Sequence, residues 1–312
     1  MELRQLRYFI AIVDHGSLSR AAKVLHIVQP ALTQQLQHLE EELGATLLHR
    51  SAQGMQATDA GKLFYEHAQA ILKQVCDAKS AVTQSTDKPS GTVALGIPQS
   101  VSGALAFPLL TAVRAAFPDI VFQLTEELTG NLTEQLKSGR LNLAILFNDG
   151  QLQNHFACTP LVEEEMMYIT RADSQFACKR KSISLKKALQ TPLILPSIQH
   201  GVRPGIEKVA REHGLEIEQV IDITSIAILK SALLADMGAT ILPVAPMLAE
   251  IERGELLAWP VSDVQLSRTV TLCFSKNIPL TNAAMAVEKL VLDVTRQLCQ
   301  HRVWPNTRSL MS

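Results

Sequence analysis

The 312-residue chain has no apolar run approaching the about 18 residues that a membrane-spanning helix requires. Its first stretch, "MELRQLRYFIAIV", is interrupted by Arg4 and Arg7 and has no small-residue cleavage site, so no signal peptide is expected. Cysteine is sparse. The five residues Cys76, Cys158, Cys178, Cys273 and Cys299 are scattered, odd in number and free of any C-x-x-C pair. That pattern excludes a disulfide frame or a zinc site and fits reduced thiols in a cytoplasm. Charge of either sign is not in excess: the net is -1, which gives no general pull toward a polyanion.

Catalytic signatures are missing too. There is no G-x-G-x-x-G, and "GMQATDAGK" has the wrong spacing for a Walker loop. Ser184-Leu185-Lys186-Lys187 matches S-x-x-K but lacks its partner motifs. No H-E-x-x-H occurs and the nine histidines do not cluster. The acidic run Glu163-Glu164-Glu165 reads as a solvated edge, and Met166-Met167 as the start of a strand. Neither an enzyme nor a bound cofactor or metal is expected.

The charge distribution is more informative than its sum. Between Gly16 and Leu39 the only formal charges are Arg20 and Lys23, and the acids Glu40, Glu41 and Glu42 follow directly. In this stretch Leu18, Ala21, Ala22 and Leu25 form the buried stripe of a short helix with Ser17 placed as its N-cap. A turn through His26, Ile27 and Val28 leads to a second helix in which Pro30 suits the first turn. There Leu32, Leu36, Leu39 and Leu43 face inward, and the opposite face carries Pro30, Gln34, Gln37 and His38, flanked by Ala31, Thr33 and Gln35. Two helices, a tight turn and an amide-rich outer face describe a helix-turn-helix. Glutamine can donate to and accept from an adenine edge at once, and threonine or alanine can contact a thymine methyl. A solvated helical hairpin with polar residues by chance is the plainer alternative.

"LLHRSAQGMQATDAG", Leu47 to Gly61, has the pattern of a two-stranded wing, with Gly54 at its tip, Arg50 placed for a phosphate and Thr58 for the next helix cap. Phe64, Ala68, Ile71, Val75, Ala78 and Val82 then alternate in steps of four and three, a heptad seam long enough to pair with another helix. The seam could instead pack on its own domain. However, the helix runs into the linker-like "STDKPSG", so the same helix of a second subunit is the expected partner.

These residues resemble the N-terminal region of LysR-type transcriptional regulators. The pieces "LRQLRYFIAI", "GSLSRAAKVLHIVQPALTQQLQHLEEELGATLLHR" and "TDAGKLF" match in order and spacing, and Gln29-Pro30-Ala31 is the specific signature. Within the family the chain is most similar to the nitrogen assimilation control regulators, although His49 stands where the family less often has histidine. The resemblance implies a winged helix-turn-helix that reads a dyad operator as a dimer, usually within a homotetramer. It places Gln29, Pro30, Ala31, Thr33 and Gln34 at or near base edges and Arg50 and Gln53 on the wing; Gln35 is added from the helical wheel alone.

After Gly91, strands alternate with helices, which indicates a mostly parallel sheet covered on both faces. Two such blocks predict two lobes with a cleft between them, and "TVTLCF" with the last helix is expected to return to the first lobe. This resembles the effector-binding domain of the same family, itself similar to periplasmic solute-binding proteins. The expected division is residues 1–58 for the winged domain, 59–86 for the linker helix, 87–91 for a hinge and 92–302 for the effector domain. Lobe I takes 92–162 and 269–302, lobe II takes 163–268, and 303–312 is a tail.

Ligands of open α/β sheets bind beyond the carboxyl ends of the strands. Those ends offer Pro98, Gln99, Ser100, Val101, Ser102, Thr129, Phe147 and Asn148 in lobe I, and Pro196, Ser197, Thr224 and Ser225 in lobe II. Hydroxyls at helix starts favour an anion, and Arg203 could add a cation. Taken singly, each serine or threonine is better read as an ordinary N-cap. Asn142 departs from the family, which often has Asp there. The expected function is a cytoplasmic, sequence-specific transcription regulator. Its partners would be double-stranded operator DNA, its own copies, RNA polymerase, and a small effector unless its abundance alone controls it. The competing reading is a solute-binding module whose N-terminal helices serve only for oligomerisation.

Overall fold

A computed structural model describes residues 1–51, 54–83, 88–148, 150, 152–197 and 202–311. The chain separates into two units, residues 1–83 with 138–140, and residues 84–137 with 141–312.

The first unit begins with α1 (Leu3–His15), α2 (Leu18–Val24) and α3 (Gln29–Leu43). Ser17 caps α2 by accepting a hydrogen bond from the Arg20 amide at 3.4 Å. The turn to α3 closes by a Schellman pattern: the amide of Ile27 donates to Ala22 O at 3.0 Å and that of His26 to Lys23 O at 3.3 Å. His26 takes the left-handed position that glycine usually fills, with φ 54°. Phe9, Ile12, Ala21, Ala22, Leu32, Leu36 and Leu39 close the core. Leu43, expected on the inward stripe, is 40% exposed, at the last turn of a helix that ends at Gly44.

The wing is β1 (Leu48–Ser51) antiparallel to β2 (Gly54–Ala57). Glu40 fixes its base, its Oε1 accepting from the amides of Leu47 and Leu48 at 2.6 and 3.1 Å. Thr58 then caps α4 (Asp59–Thr83) through a 2.9 Å hydrogen bond from the Gly61 amide. Gly61 sits so close to the wing that a Cβ would lie 2.0 Å from Leu47 O, which explains the glycine of "TDAG". Helix α4 packs back on α1. Phe64 stands edge-on to Phe9 with centroids 5.1 Å apart, and the Tyr65 hydroxyl donates to Asp14. Burial, reinforced by Asp14, pushes the Tyr65 pKa up to about 12.

The second unit opens with β3 (Gly91–Pro98), α5 (Gln99–Ala116), β4 (Ile120–Glu127), α6 (Thr129–Lys137), β5 (Leu143–Phe147) and β6 (Phe156–Glu165). The chain then forms β7 (Met167–Arg171), α7 (Leu185–Leu189), β8 (Leu193–Leu195), α8 (Arg203–Glu212) and β9 (Val220–Asp222). Next come α9 (Ile226–Leu234), β10 (Thr240–Leu242), α10 (Leu248–Glu252) and β11 (Leu256–Pro260). It ends with β12 (Ser267–Ser275), α11 (Asn282–Gln300) and β13 (Thr307–Ser309).

Lobe I is a six-stranded sheet in the order β13-β6-β12-β5-β3-β4. It is mixed rather than mostly parallel as expected, because β12, returning from lobe II, runs antiparallel to both β5 and β6, and β13 is antiparallel to β6. Lobe II has β10-β7-β11 and the parallel pair β8-β9, joined through an isolated bridge between Leu193 and Ala239. Each lobe has its own apolar core. Asn142 accepts from the Ala94 amide with its side chain and donates to Ala94 O with its own amide, both at 2.9 Å. A neutral amide therefore meets the backbone need at this position.

Two expectations change at the crossover between the lobes. The strands of lobe I continue through Glu165 and from Ser267, and the crossovers are tied by the Met166 amide donating to Leu266 O at 2.8 Å. The acidic run there is not a solvated edge at its centre, since Glu164 is 0% exposed. Its carboxylate accepts from Arg268 at 2.7 and 2.9 Å and from the Trp304 indole at 2.8 Å, with Arg268 also 3.9 Å from the centre of the Phe147 ring. Residues 303–312, expected as a tail, supply that buried Trp304 and, as β13, pair with β6. A strand added by the last residues is what permits a carboxylate to be buried here.

Candidate DNA interface and effector crevice

Helix α3 presents its amides as expected. Gln34 and Gln37 are exposed and Gln35 is half-buried, beside exposed Pro30 and Ala31, while Leu32, Leu36 and Leu39 anchor the opposite side. Gln34 and Gln35 have no side-chain partner among the described residues, so their donors and acceptors stay open for a base edge. Two of the expected readers are already engaged. Gln29 accepts a 2.7 Å hydrogen bond from the Ser19 hydroxyl, and the Thr33 hydroxyl donates to Gln29 O at 3.1 Å.

Arg20 and Gln29 border a recess of about 380 Å³ together with Arg50, Ser17, Ser19 and Gly54. Arg50 is exposed and unpaired among the described residues. The recess thus gathers two guanidinium groups and two hydroxyls at the wing side of the helix pair, a set suited to phosphate oxygens. Arg20 is one of the two cations that set the basic front of this stretch; Ser17, expected only as a cap, and Ser19 join it here. Gln53 lies outside the described residues.

The seam of α4 divides. Phe64 and Ala68 are used within the first unit, Phe64 against Phe9, so the plainer reading of the seam holds for that half. Ile71 and Val75 are half-buried, whereas Ala78 and Val82 are exposed, Val82 at 86%.

In the second unit β3 is parallel to both β4 and β5, so Pro98, Thr129 and Phe147 come at one end of the lobe I sheet. Three expected hydroxyls, those of Ser100, Thr129 and Ser197, have buried oxygens with no hydrogen-bond partner among the described residues. Such groups are costly unless something pairs with them, and each of the three follows the carboxyl end of a strand, where open α/β sheets take their ligands. Val101 belongs to the core and Pro196 is buried. Ser102 donates to Gln99 O at 2.9 Å, and the side chain of Asn148 accepts from the Gly150 amide at 2.9 Å. Gln99 reaches lobe II, its Oε1 3.5 Å from the amide of Ile226, next to Ser225. Ser225 itself caps α9 and Thr224 is exposed.

Arg203 does not supply the expected free cation. Its guanidinium is held by Glu207 and Asp222, each at 2.7 Å, which neutralises it.

Two stretches of the chain match known families. Residues 3–62 match the bacterial regulatory helix-turn-helix protein, lysR family, and residues 86–296 match the LysR substrate binding domain. The nitrogen assimilation regulatory protein nac of Escherichia coli K12 is 34% identical over 308 residues, covering 97% of this chain and 99% of that one. The DNA-binding transcriptional dual regulator OxyR of the same strain is 28% identical over 280 residues, 90% of this chain and 91% of its own. Among solved structures, full-length CbnR complexed with its target DNA superimposes with a TM-score of 0.67 at 20% identity, over 95% of this chain and 99% of that one. A full-length OxyR variant from Pseudomonas aeruginosa gives 0.70 at 20% identity, over 100% and 99% of the two chains. The oligomerisation-only reading of the N-terminal helices is not favoured. With a lysR-type helix-turn-helix at its front and a LysR substrate binding domain behind it, the chain belongs to the LysR family and is a DNA-binding transcriptional regulator.

Proposed function

We propose that α3 enters the major groove of an operator half-site and that Gln34 reads a base edge, with Arg50, Arg20 and the wing fixing the register on phosphates. The observation that carries this reading is the exposed, unpartnered amide of Gln34 on a helix whose other face is locked into the core. Ala78 and Val82, exposed at the far end of α4, are the seam positions left for a second subunit, and the operator is then a dyad read by a homodimer, assembled further into a homotetramer. The protein works in the cytoplasm and, once on DNA, contacts RNA polymerase.

The crevice takes a small polar effector. The unpaired hydroxyls of Ser100, Thr129 and Ser197 support a bound ligand over control by abundance alone. A ligand that joins hydroxyls of both lobes favours one arrangement of the effector domains and thereby the spacing of the paired DNA heads. Genes of nitrogen assimilation are the first operators to try, given the names of the relatives.

The test is Gln34→Ala in a binding titration against operator DNA and scrambled DNA at physiological salt. Loss of about 1–3 kcal/mol of specific binding with unchanged binding to scrambled DNA is expected. Equal operator affinity of variant and parent would remove Gln34 from the readout.

A further inference from the structure

Cys158 and Cys273 lie directly opposite one another on the adjacent antiparallel strands β6 and β12. Both are free thiols, and their sulfurs are 3.3 Å apart. Opposed residues in an antiparallel pair hold their Cα atoms about 4.5 or 5.5 Å apart, and either spacing falls within the about 4.4–6.8 Å that a disulfide spans. The sulfurs can therefore bond with little backbone movement. The two thiols differ in access: Cys158 is partly exposed at the edge of the cluster formed by Leu132, Leu136, Ala144 and Phe156, and Cys273 is wholly buried within it. One sulfur is thus open to a small oxidant and the other waits beside it, shielded from solvent. Burial pushes the Cys273 thiol well above its ordinary pKa, with the hydrogen bond to Cys158 adding to the shift, so Cys273 is the poorer first nucleophile.

We propose that Cys158 and Cys273 are a redox-modification site at which hydrogen peroxide forms a reversible disulfide across β6 and β12. The sulfur of Cys158 attacks one peroxide oxygen; an S–O bond forms, the O–O bond breaks, and the first water leaves with the thiol proton. The sulfur of Cys273 then attacks the Cys158 sulfur. The S–S bond forms as the S–O bond breaks, and the departing hydroxide takes the Cys273 proton and leaves as the second water. Two thiols are oxidised and one peroxide is reduced to two waters. The link fixes the register of the two strands that carry the chain into and out of lobe II.

The test uses the full-length reduced protein treated with hydrogen peroxide, then denatured, alkylated and digested. Expected are a fall in free thiols from five to three, a peptide joining Cys158 to Cys273, and return of all five thiols on treatment with dithiothreitol. Cys158→Ser and Cys273→Ser should each abolish that peptide, and Cys76→Ser should leave it unchanged. Cys158 halted as a sulfinic acid without the link, or cross-linking only between exposed Cys76 residues of two chains, would overturn the assignment; both are read on the parent protein, whether or not the variants fold.

Discussion

Gly54 of the wing lies against Gly16 of the α1–α2 turn so tightly that a Cβ on Gly54 would stand 2.3 Å from the Gly16 carbonyl oxygen. The same oxygen accepts the Met55 amide at 2.9 Å, so wing and helix pair are fastened at one backbone atom. Gly54 also has φ 118°, a conformation that side-chain-bearing residues rarely take. Gly54→Ala is expected to cost about 1–3 kcal/mol of stability from strain and displacement. It should also weaken operator binding more than Arg50→Ala does, because it moves the whole wing. Urea unfolding together with operator titration checks both parts.

Arg50 is exposed and unpaired among the described residues, beside Arg20 in the wing recess. If it neutralises one phosphate, Arg50→Ala lowers the slope of log affinity against log salt by about 0.9, equally for operator and scrambled DNA. An unchanged slope would put Arg50 off the backbone. The contrast with Gln34→Ala separates positioning from reading.

His26 holds a left-handed turn without being glycine. A β-branched side chain tolerates that conformation worse, so His26→Val should destabilise the helix-turn-helix by about 1–2 kcal/mol. His26→Gly should be at least as stable as the parent. Thermal unfolding followed by helical circular dichroism distinguishes the two variants, and equal midpoints would mean the turn is not under strain.

Glu164 is buried against Arg268, whose Nε and Nη2 donate to it while Nη1 has no hydrogen-bond partner among the described residues. Glu164→Gln leaves a buried arginine without its counter-ion and is expected to cost about 3 kcal/mol or more in denaturant unfolding. Trp304→Phe removes the indole donor to Glu164 and trims the buried ring, and should cost about 1–3 kcal/mol. A larger loss for Trp304→Phe than for Glu164→Gln would mean the last residues matter through packing rather than through this carboxylate.

Glu163 holds β13 from the neighbouring position. Hydrogen bonds from Arg308, then from Ser267, outweigh a small desolvation effect and keep its pKa below the ordinary 4.5. A carboxyl lowered on folding stabilises above its unfolded pKa, and that contribution fades as pH falls through the folded value. Arg308→Ala should therefore be less stable than the parent near neutrality, and the two should converge as pH drops below the usual glutamate range. Paired unfolding curves across that range check the convergence.

The sequence by itself determined the helix-turn-helix and much of the alternation that follows. Ser17, Pro30 and the leucines at 32, 36 and 39 each act over a few residues, where capping and periodicity are decided locally. The strand ends were legible for the same reason, and with them Ser100, Thr129 and Ser197. What local patterns do not encode is which side chains meet after a long excursion of the chain. Glu164 read as solvent-facing because its partners, Arg268 and Trp304, are distant in sequence and reach it only when β12 and β13 flank β6. Arg203 read as a free cation because Asp222 comes beside it only through the fold of lobe II. Phe64 read as part of a subunit seam because its contact with Phe9 spans the whole first unit. Cys158 and Cys273 belong to the same class: two scattered cysteines in the sequence become neighbours only through the register of β6 against β12, a pairing that burial of both sheet faces selects and no local signal announces.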